Sequence, residues 1–422
     1  MKEGFDELLK RGIGRLVSSF EPDNELKIAI HFSYPSIHGA WIVDGAIAPE
    51  TQNNNSETLK QYNRNRDGWV KILHDAGLGF GFISYSSIES GSLLSDGYKV
   101  LILPMSYALS DKEVQQIEAF VRQGGMLIAD ALPGVMDDHT KIRSKRALSD
   151  VFGIKARSYT QEELIRPGGE SDLKVRGADI LLKENNSPEI LYQIYGQGSA
   201  YLLNYLLDQY PEEKLDQKNE SSLLKIRKLF ARENLESSIL LSTSTGEPAN
   251  GIEKYSFSEQ HSSARLLGLL PGRNGEDAEI NLHIDESAHL YDIRNQKYLG
   301  RGNDFKIRIK NSVPELFGLV QGTIDDILVD APSTSKRGEK ITLDFKITGK
   351  GSTNLKSVVR INVYDPEGTN IPYYSENCEV SNGSGTHRFN TALNDLPGNW
   401  NIQLTEIISG VEKELTFSLI AD

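Results

Sequence analysis

The sequence predicts a multidomain chain: an α/β domain of the doubly wound class, followed by two all-β modules. Three observations carry this. Short, wholly apolar runs alternate with stretches of helical period over the first half. Near Ser238 the apolar period changes from helical to two. The segment 322–422 then keeps the two-residue period between regularly spaced turn clusters.

Residues 1–20 read as one helix, with Phe5, Leu8, Leu9, Ile13 and Leu16 toward one face and Gly12 and Gly14 near its end. LKIAIHF (26–32) is the first strand. SYPSIHGAWIVDG (33–45) is rich in turn residues and reads as a loop, yet it holds Ile37, Trp41, Ile42 and Val43, so something must cover it. APETQNNNS (48–56) is polar and reads as mobile. A helix over 58–76 follows, with Tyr62, Trp69, Ile72 and Leu73 on one side and Gly77 as its stop. LGFGFIS (78–84) is a glycine-rich strand.

The stretch 98–138 organises this half. Val100 to Leu103 are all apolar and Pro104 closes the run, which suits a strand buried on both faces. Ser110 with Glu113 three residues on makes a capping box. Val114, Ile117, Phe120 and Val121 continue at helical spacing, and Gly124-Gly125 ends the helix. A second buried run, 126–129, follows. Strand, helix, strand implies a parallel pair with a right-handed crossover. Further on, ALSDVFGIKA reads as a short helix ending at Gly153, 175–182 and 189–195 as strands, SAYLLNYLLDQY as the last strand, 211–220 as a charged loop and 222–233 as a helix.

Beyond Ser238, 252–270, 278–284, 289–293 and 305–309 alternate as strands of a small β module ending near Val320. In the final segment Ile341, Leu343, Phe345 and Ile347 share a face, as do Val359, Ile361 and Val363, then Trp400, Ile402 and Leu404, then Leu415, Phe417 and Leu419. This rhythm suggests an immunoglobulin-like β-sandwich. The expected division is a helix or linker over 1–24, the α/β domain over 25–236, the small β domain over 237–321 and the sandwich over 322–422.

Composition bounds the function. The chain has 422 residues, 25% of them charged, and a formal net charge of −13 without long charge runs. That argues against nucleic acid and anionic membranes as partners. The lone cysteine, Cys378, rules out an internal disulfide and a cysteine-based metal site. No apolar run is long enough to span a bilayer, and MKEGFDELLKRG is not a signal peptide, so the chain if full length would be cytoplasmic. No cofactor signature is present: GQGS (196–199) and GRNG (272–275) form neither dinucleotide nor P-loop motifs.

The segment 98–138 resembles the class I glutamine amidotransferase-like (flavodoxin-like) fold. That family places a cysteine on a Gly-x-Cys-x-Gly elbow after the second strand. Here the place holds ADALPG, so the resemblance implies a lost nucleophile, with Ala131 near its position. A wider resemblance rests on HFSYPSIHGAW (31–41), YKVLILPMSYALS (98–110), FVRQGGMLIAD (120–130), PGVMDD with LSDVFGI, and LYDIRNQKYLG (290–300). In this order they resemble the C-terminal half of glycoside hydrolase family 42-type β-galactosidases. There an amidotransferase-like trimerisation domain and β domains follow a catalytic TIM barrel. The resemblance implies a non-catalytic structural and oligomerisation part, trimeric, without the barrel and its paired carboxylates.

Ligands in such sheets bind at the carboxyl ends of the strands. The candidate ligand-binding residues there are His31, Ser33, Asp130, Asp137 and His139. Asp130, Asp137, Asp138 and His139 suit a metal or a polar ligand. The structural reading, a capped solvated turn with the acids facing Lys141 and Arg143, carries more weight, because turns favour aspartate. His31, Ser33, Ser36 and His38 offer a Ser-His pair without a nucleophile elbow, so a packed loop outweighs catalysis. Tyr291, Tyr298, Tyr364, Tyr373 and Tyr374 suit sugar stacking, and more often such residues are core. Two alternatives to the structural function stand: a small-molecule enzyme of the amidotransferase-like fold using Asp130, Asp137 and His139, and a carbohydrate-binding accessory protein.

Overall fold

The computed structural model describes residues 2–45, 56–215, 221–249, 251–272, 277–351 and 354–421. It divides into two compact units, an α/β unit (Asn24–Ser237) and a β unit (Met1–Asp23 with Ser238–Asp422). The polar stretch expected to be mobile at 48–55 lies outside the described residues, as does most of GRNG.

In the α/β unit the strands are β1 (Ile28–Phe32), β2 (Phe80–Ser84), β3 (Val100–Leu103), β4 (Met126–Ala129), β5 (Asp179–Glu184), β6 (Ser187–Tyr195) and β7 (Gly198–Leu203). Their order is β2-β1-β3-β4-β7-β6-β5. The first five in this order are parallel, and β6 and β5 are antiparallel. The central strands are apolar at every position because both faces are covered. Leu101, Leu103, Leu127 and Ala129 meet Ile117, Phe120 and Val121 of helix α3 (Asp111–Arg122). Ile28, Ile30, Val100 and Ile102 meet Trp69, Ile72 and Leu73 of α2 (Glu57–Ala76) and Ile226 and Phe230 of α4 (Ser221–Arg232).

Two local signals act as expected. Gly77 ends α2 at φ 73°. The Ser110–Glu113 capping box of α3 is formed. Ser56, read as the end of the polar stretch, instead caps α2, its side chain accepting from Leu59 N.

Several expectations are corrected. Residues 34–45 are not a loop but helix α1 (Tyr34–Gly45). Ser33 Oγ accepts from Ser36 N at 3.1 Å and so starts it, and Pro35 sits in the first turn, where its missing N–H costs nothing. Residues 1–20 are two helices, Lys2–Leu9 and Ile13–Ser18, because Gly12 turns left-handed at φ 78°. The stretch before Gly153 is a set of turns, since Leu148 also takes a positive φ, 56°. The charged stretch after Pro211 begins inside a helical turn, Tyr210–Leu215.

The β unit contains strands β8 (Ile239–Thr243), β9 (Ile252–Ser258), β10 (Ala264–Pro271), β11 (Ala278–Asp292), β12 (Lys297–Ile309) and β13 (Glu315–Val320). With Glu21–Pro22 they form one antiparallel sheet. LYDIRNQKYLG is the tip of the β11–β12 hairpin, where Tyr291 faces Tyr298. Two further sheets follow. One holds β14 (Asp326–Asp330), β16 (Lys340–Thr348) and β19 (Ser384–Asn390). The other holds β15 (Thr334–Lys336), β17 (Ser357–Tyr364), β18 (Glu376–Val380), β20 (Gly398–Glu406) and β21 (Glu412–Ile420).

The apolar faces of these two sheets make one core with Ile341, Leu343, Ile361, Trp400 and Phe417. That core does not stop at residue 322. Ile13, Leu16 and Phe20 of the N-terminal segment belong to it, as do Leu266, Tyr291 and Leu316 of the preceding sheet.

Candidate functional site

The carboxyl edge of the parallel sheet gathers His31, Ser33 and Asp130, all buried. His31 is the last residue but one of β1 and contacts two groups. Its Nδ1 lies 2.9 Å from Ser106 Oγ. Its Nε2 lies 3.0 Å from Glu113 Oε1, an ion-pair distance at an angle short of a hydrogen bond. Glu113 Oε2 accepts from Ser110 N at 2.7 Å, so one carboxylate caps α3 and also faces the end of β1. A serine, a histidine and a glutamate thus stand in line, the composition of a nucleophilic triad. Ser106 and His31 are 1% exposed and Glu113 is 0% exposed, so the serine oxygen meets no solvent. The line acts as a buried polar tie between β1, the turn after β3 and α3.

Asp130 follows β4 and is fully buried. Its Oδ2 accepts from Asn65 Nδ2 at 2.6 Å and Trp69 Nε1 at 2.8 Å, and its Oδ1 from Met105 N at 2.6 Å. Burial pushes its carboxyl up to about 7, against the pull of these three donors. Met105 itself is left-handed at φ 40°, and the aspartate holds its amide in place.

What would be a ligand crevice is filled. Ala40 and Val43 of α1, Tyr62 of α2, Met105 and Tyr107 after β3, and Leu132, Val135 and Met136 after β4 form one buried apolar cluster. Ser36 Oγ stitches α1 to Ala108, donating to its carbonyl and accepting from its amide, each at 3.1 Å. The covering segment is clamped by buried Arg146, which donates to Glu170 Oε1 at 2.6 Å and Tyr159 OH at 3.2 Å.

Asp137 and His139 stand apart from this interior. Asp137 Oδ1 accepts from His139 N at 3.0 Å and Lys141 N at 2.9 Å, a capped turn; Arg143, expected to face these acids, instead pairs with Asp111 Oδ1 at 2.8 Å. His139 is exposed and lies 3.3 Å from Asp138 Oδ1. Asp130 therefore shares no solvent-accessible site with them. Ser106, Asn65 and Trp69 are not among the residues the sequence marks as site candidates; the apolar flanks of Ser106, and two polar groups on the inner face of a helix, are their only local signal.

The tyrosines of the β unit divide. Tyr291 and Tyr374 are buried in the core, while Tyr298 and Tyr373 are exposed on separate elements. Tyr298 packs on Tyr291 and His289, with ring centroids 5.1 and 5.8 Å away. Concavities of about 510 and 680 Å³ lie in the β unit, lined by Leu328, Asp344 and Thr386 and by Glu7, Arg294 and Lys310 respectively. No helix among the described residues is long and apolar enough to cross a membrane.

Comparison with known proteins matches part of the α/β unit. Residues 41–182 match the model of the β-galactosidase trimerisation domain. A curated relative, β-galactosidase GanA of Bacillus subtilis (strain 168), is 26% identical over 138 residues, covering 28% of this chain and 20% of that protein. Among solved structures, the β-galactosidase of Bacillus circulans sp. alkalophilus aligns with 70% of this chain and 42% of its own, at 16% identity and TM-score 0.48. The cold-adapted β-galactosidase of Rahnella sp. R3 aligns with 70% and 41%, at 17% identity and TM-score 0.44. The chain thus spans about a fifth of the curated relative and two fifths of these structures. It resembles the C-terminal, non-catalytic part of family 42-type β-galactosidases.

Proposed function

We propose that this chain is a structural and oligomerisation part of a β-galactosidase-like glycoside hydrolase and performs no catalysis itself. One observation carries the reading. The outward face of α1 presents Tyr34, His38, Trp41 and Ile42, at i, i+4, i+7 and i+8. Tyr34 is 55% exposed, Trp41 40% and Ile42 37%. A helix apolar on its outer face as well as its inner one is a helix with a partner. Trp41 and Ile42 open the stretch that matches the trimerisation domain, and the occupant is a second copy of this chain.

A heterologous contact of this kind closes as a ring, here of three copies. The reading includes an amidotransferase-like fold for 25–236 and an immunoglobulin-like fold for 322–422. The parallel strands covered on both faces support the first. The two facing sheets support the second. The filled strand edge supports the absence of catalysis. So does Cys378, whose thiol burial and the nearby Glu376 carboxylate push up to about 12.

Sedimentation of the full chain at micromolar concentration tests the reading. A trimer is expected, converted to monomer by Trp41→Ala with Ile42→Ser. A monomeric wild type, or a trimer indifferent to these changes, overturns it.

A further inference from the structure

We propose that the corner between β18 and β19 is a binding site for a thiophilic divalent cation, zinc above all, held by Glu376, Cys378 and His387. The topology brings the three together. β18 is the last strand of the five-stranded sheet and β19 the last strand of the three-stranded one. The chain crosses between them through 381–383, where Asn382 and Gly383 are left-handed at φ 51° and 73°. The two-residue period puts Glu376, Cys378 and Val380 on one face of β18. His387 and Phe389 are the buried positions of β19. One oxygen, one sulfur and one ring nitrogen from the three residues lie within 4.8 Å of one another.

The His387 ring is already oriented for a ligand. Its Nε2 donates to the Tyr374 carbonyl at 2.7 Å, which leaves Nδ1 facing Glu376 Oε2 at 3.0 Å, where a metal ion can take the place of a proton. Cys378 completes the set: it is 7% exposed, and among the described residues its sulfur has no hydrogen-bond partner.

Imidazole, thiolate and carboxylate are zinc ligands; the ion releases to water the proton that burial holds on the metal-free Cys378 thiol, and three ligands leave a fourth position for water. The Tyr374 carbonyl plays the outer partner that fixes the imidazole. The exposed Glu376 side chain marks the entry path. Arg360 opposes the cation, since its charge acts on Cys378; its guanidinium is drawn off by Asn362 Oδ1 at 2.9 Å and Asn377 Oδ1 at 3.4 Å. A thiolate-only site is impossible with one cysteine, but a mixed set needs just one. The bound ion would tie the two sheets at their shared corner. The Asp137–Asp138–His139 turn brings three ligand atoms as near, yet Asp137 is taken up by backbone amides and no group there is buried.

The test uses the full chain, stripped of metal with a chelator and titrated with Co²⁺ and Zn²⁺. One equivalent of Co²⁺ should give a sulfur-to-metal charge-transfer band in the near ultraviolet, displaced by Zn²⁺. Cys378→Ser should abolish the band. Glu376→Gln, on an exposed side chain, should weaken Zn²⁺ binding roughly tenfold or more. No charge-transfer band in the wild type overturns the proposal. So does Zn²⁺ affinity that is unchanged in Glu376→Gln and lost in Asp137→Asn with His139→Ala.

Discussion

Asp130 shows how a buried charge can be structural and still govern pH behaviour. Its carboxyl, at 3.8 ordinarily, is held at about 7 in the fold. A folded value above the unfolded one stabilises most below the unfolded value, and that stability is lost as pH rises through the folded value. The window here runs from about pH 4 to 7, and the loss is on the order of 4 kcal/mol. Asp130→Asn keeps the shape but turns an amide nitrogen toward donors that now meet oxygens. It should destabilise the protein by about 1–3 kcal/mol. The deficit relative to wild type should be larger at pH 5 than at pH 8, as urea unfolding at the two values would read. A second buried carboxylate, Glu406 in the β unit, is raised by burial in the same sense, and Ser357, Ser409 and Ile408 donate to it.

Helix α2 is tied down at single positions along its length. Asn65 and Trp69 reach Asp130, and Asn65 Oδ1 also accepts from Leu207 N at 2.7 Å. Gly68 lies between them at the closest approach, where an added Cβ would stand 2.1 Å from the Leu207 carbonyl oxygen. Gly68→Ala favours the helix locally, yet it must push that backbone away. A loss of about 1–3 kcal/mol is expected, read as a lower melting temperature in calorimetry. Ser110→Ala is the milder case. It removes the acceptor for Glu113 N at the start of α3 and should cost about 1 kcal/mol.

The two units set the behaviour of the whole chain. Residues 322–422 hold two facing sheets, and a cooperative melt of that segment alone is expected. Its core continues into Leu16, Phe20, Leu266 and Leu316, so the isolated segment should melt well below the full chain, as calorimetry of both would show. A melt at the same temperature would mean that these contacts add nothing. For catalysis, the full chain should release no product from aryl β-galactosides and no ammonia from glutamine. Turnover that survives repurification, or glutamine hydrolysis stopped by Cys378→Ser, would contradict the structural function proposed above.

The sequence by itself determined what local chemistry enforces. The wholly apolar runs at 100–103 and 126–129 could only be strands covered on both faces. Ser110 with Glu113 fixed where α3 begins, and Gly77 where α2 ends. The two-residue period after Ser238 announced the sheets. Tertiary structure alone decided the rest, because it depends on residues distant in sequence meeting. Ser, Pro and Gly between 33 and 45 look like a loop in isolation; the helix forms because Ser33 caps it and because Ser36, Gly39 and Ala40 allow it to pack against Ala108 and Met136. His31, Ser106 and Glu113 come from three separate elements, and no spacing in the sequence announces their line. Whether the strand edge was open or filled rested on the segment that folds back over it, clamped by Arg146 and Glu170, two residues that no local pattern pairs.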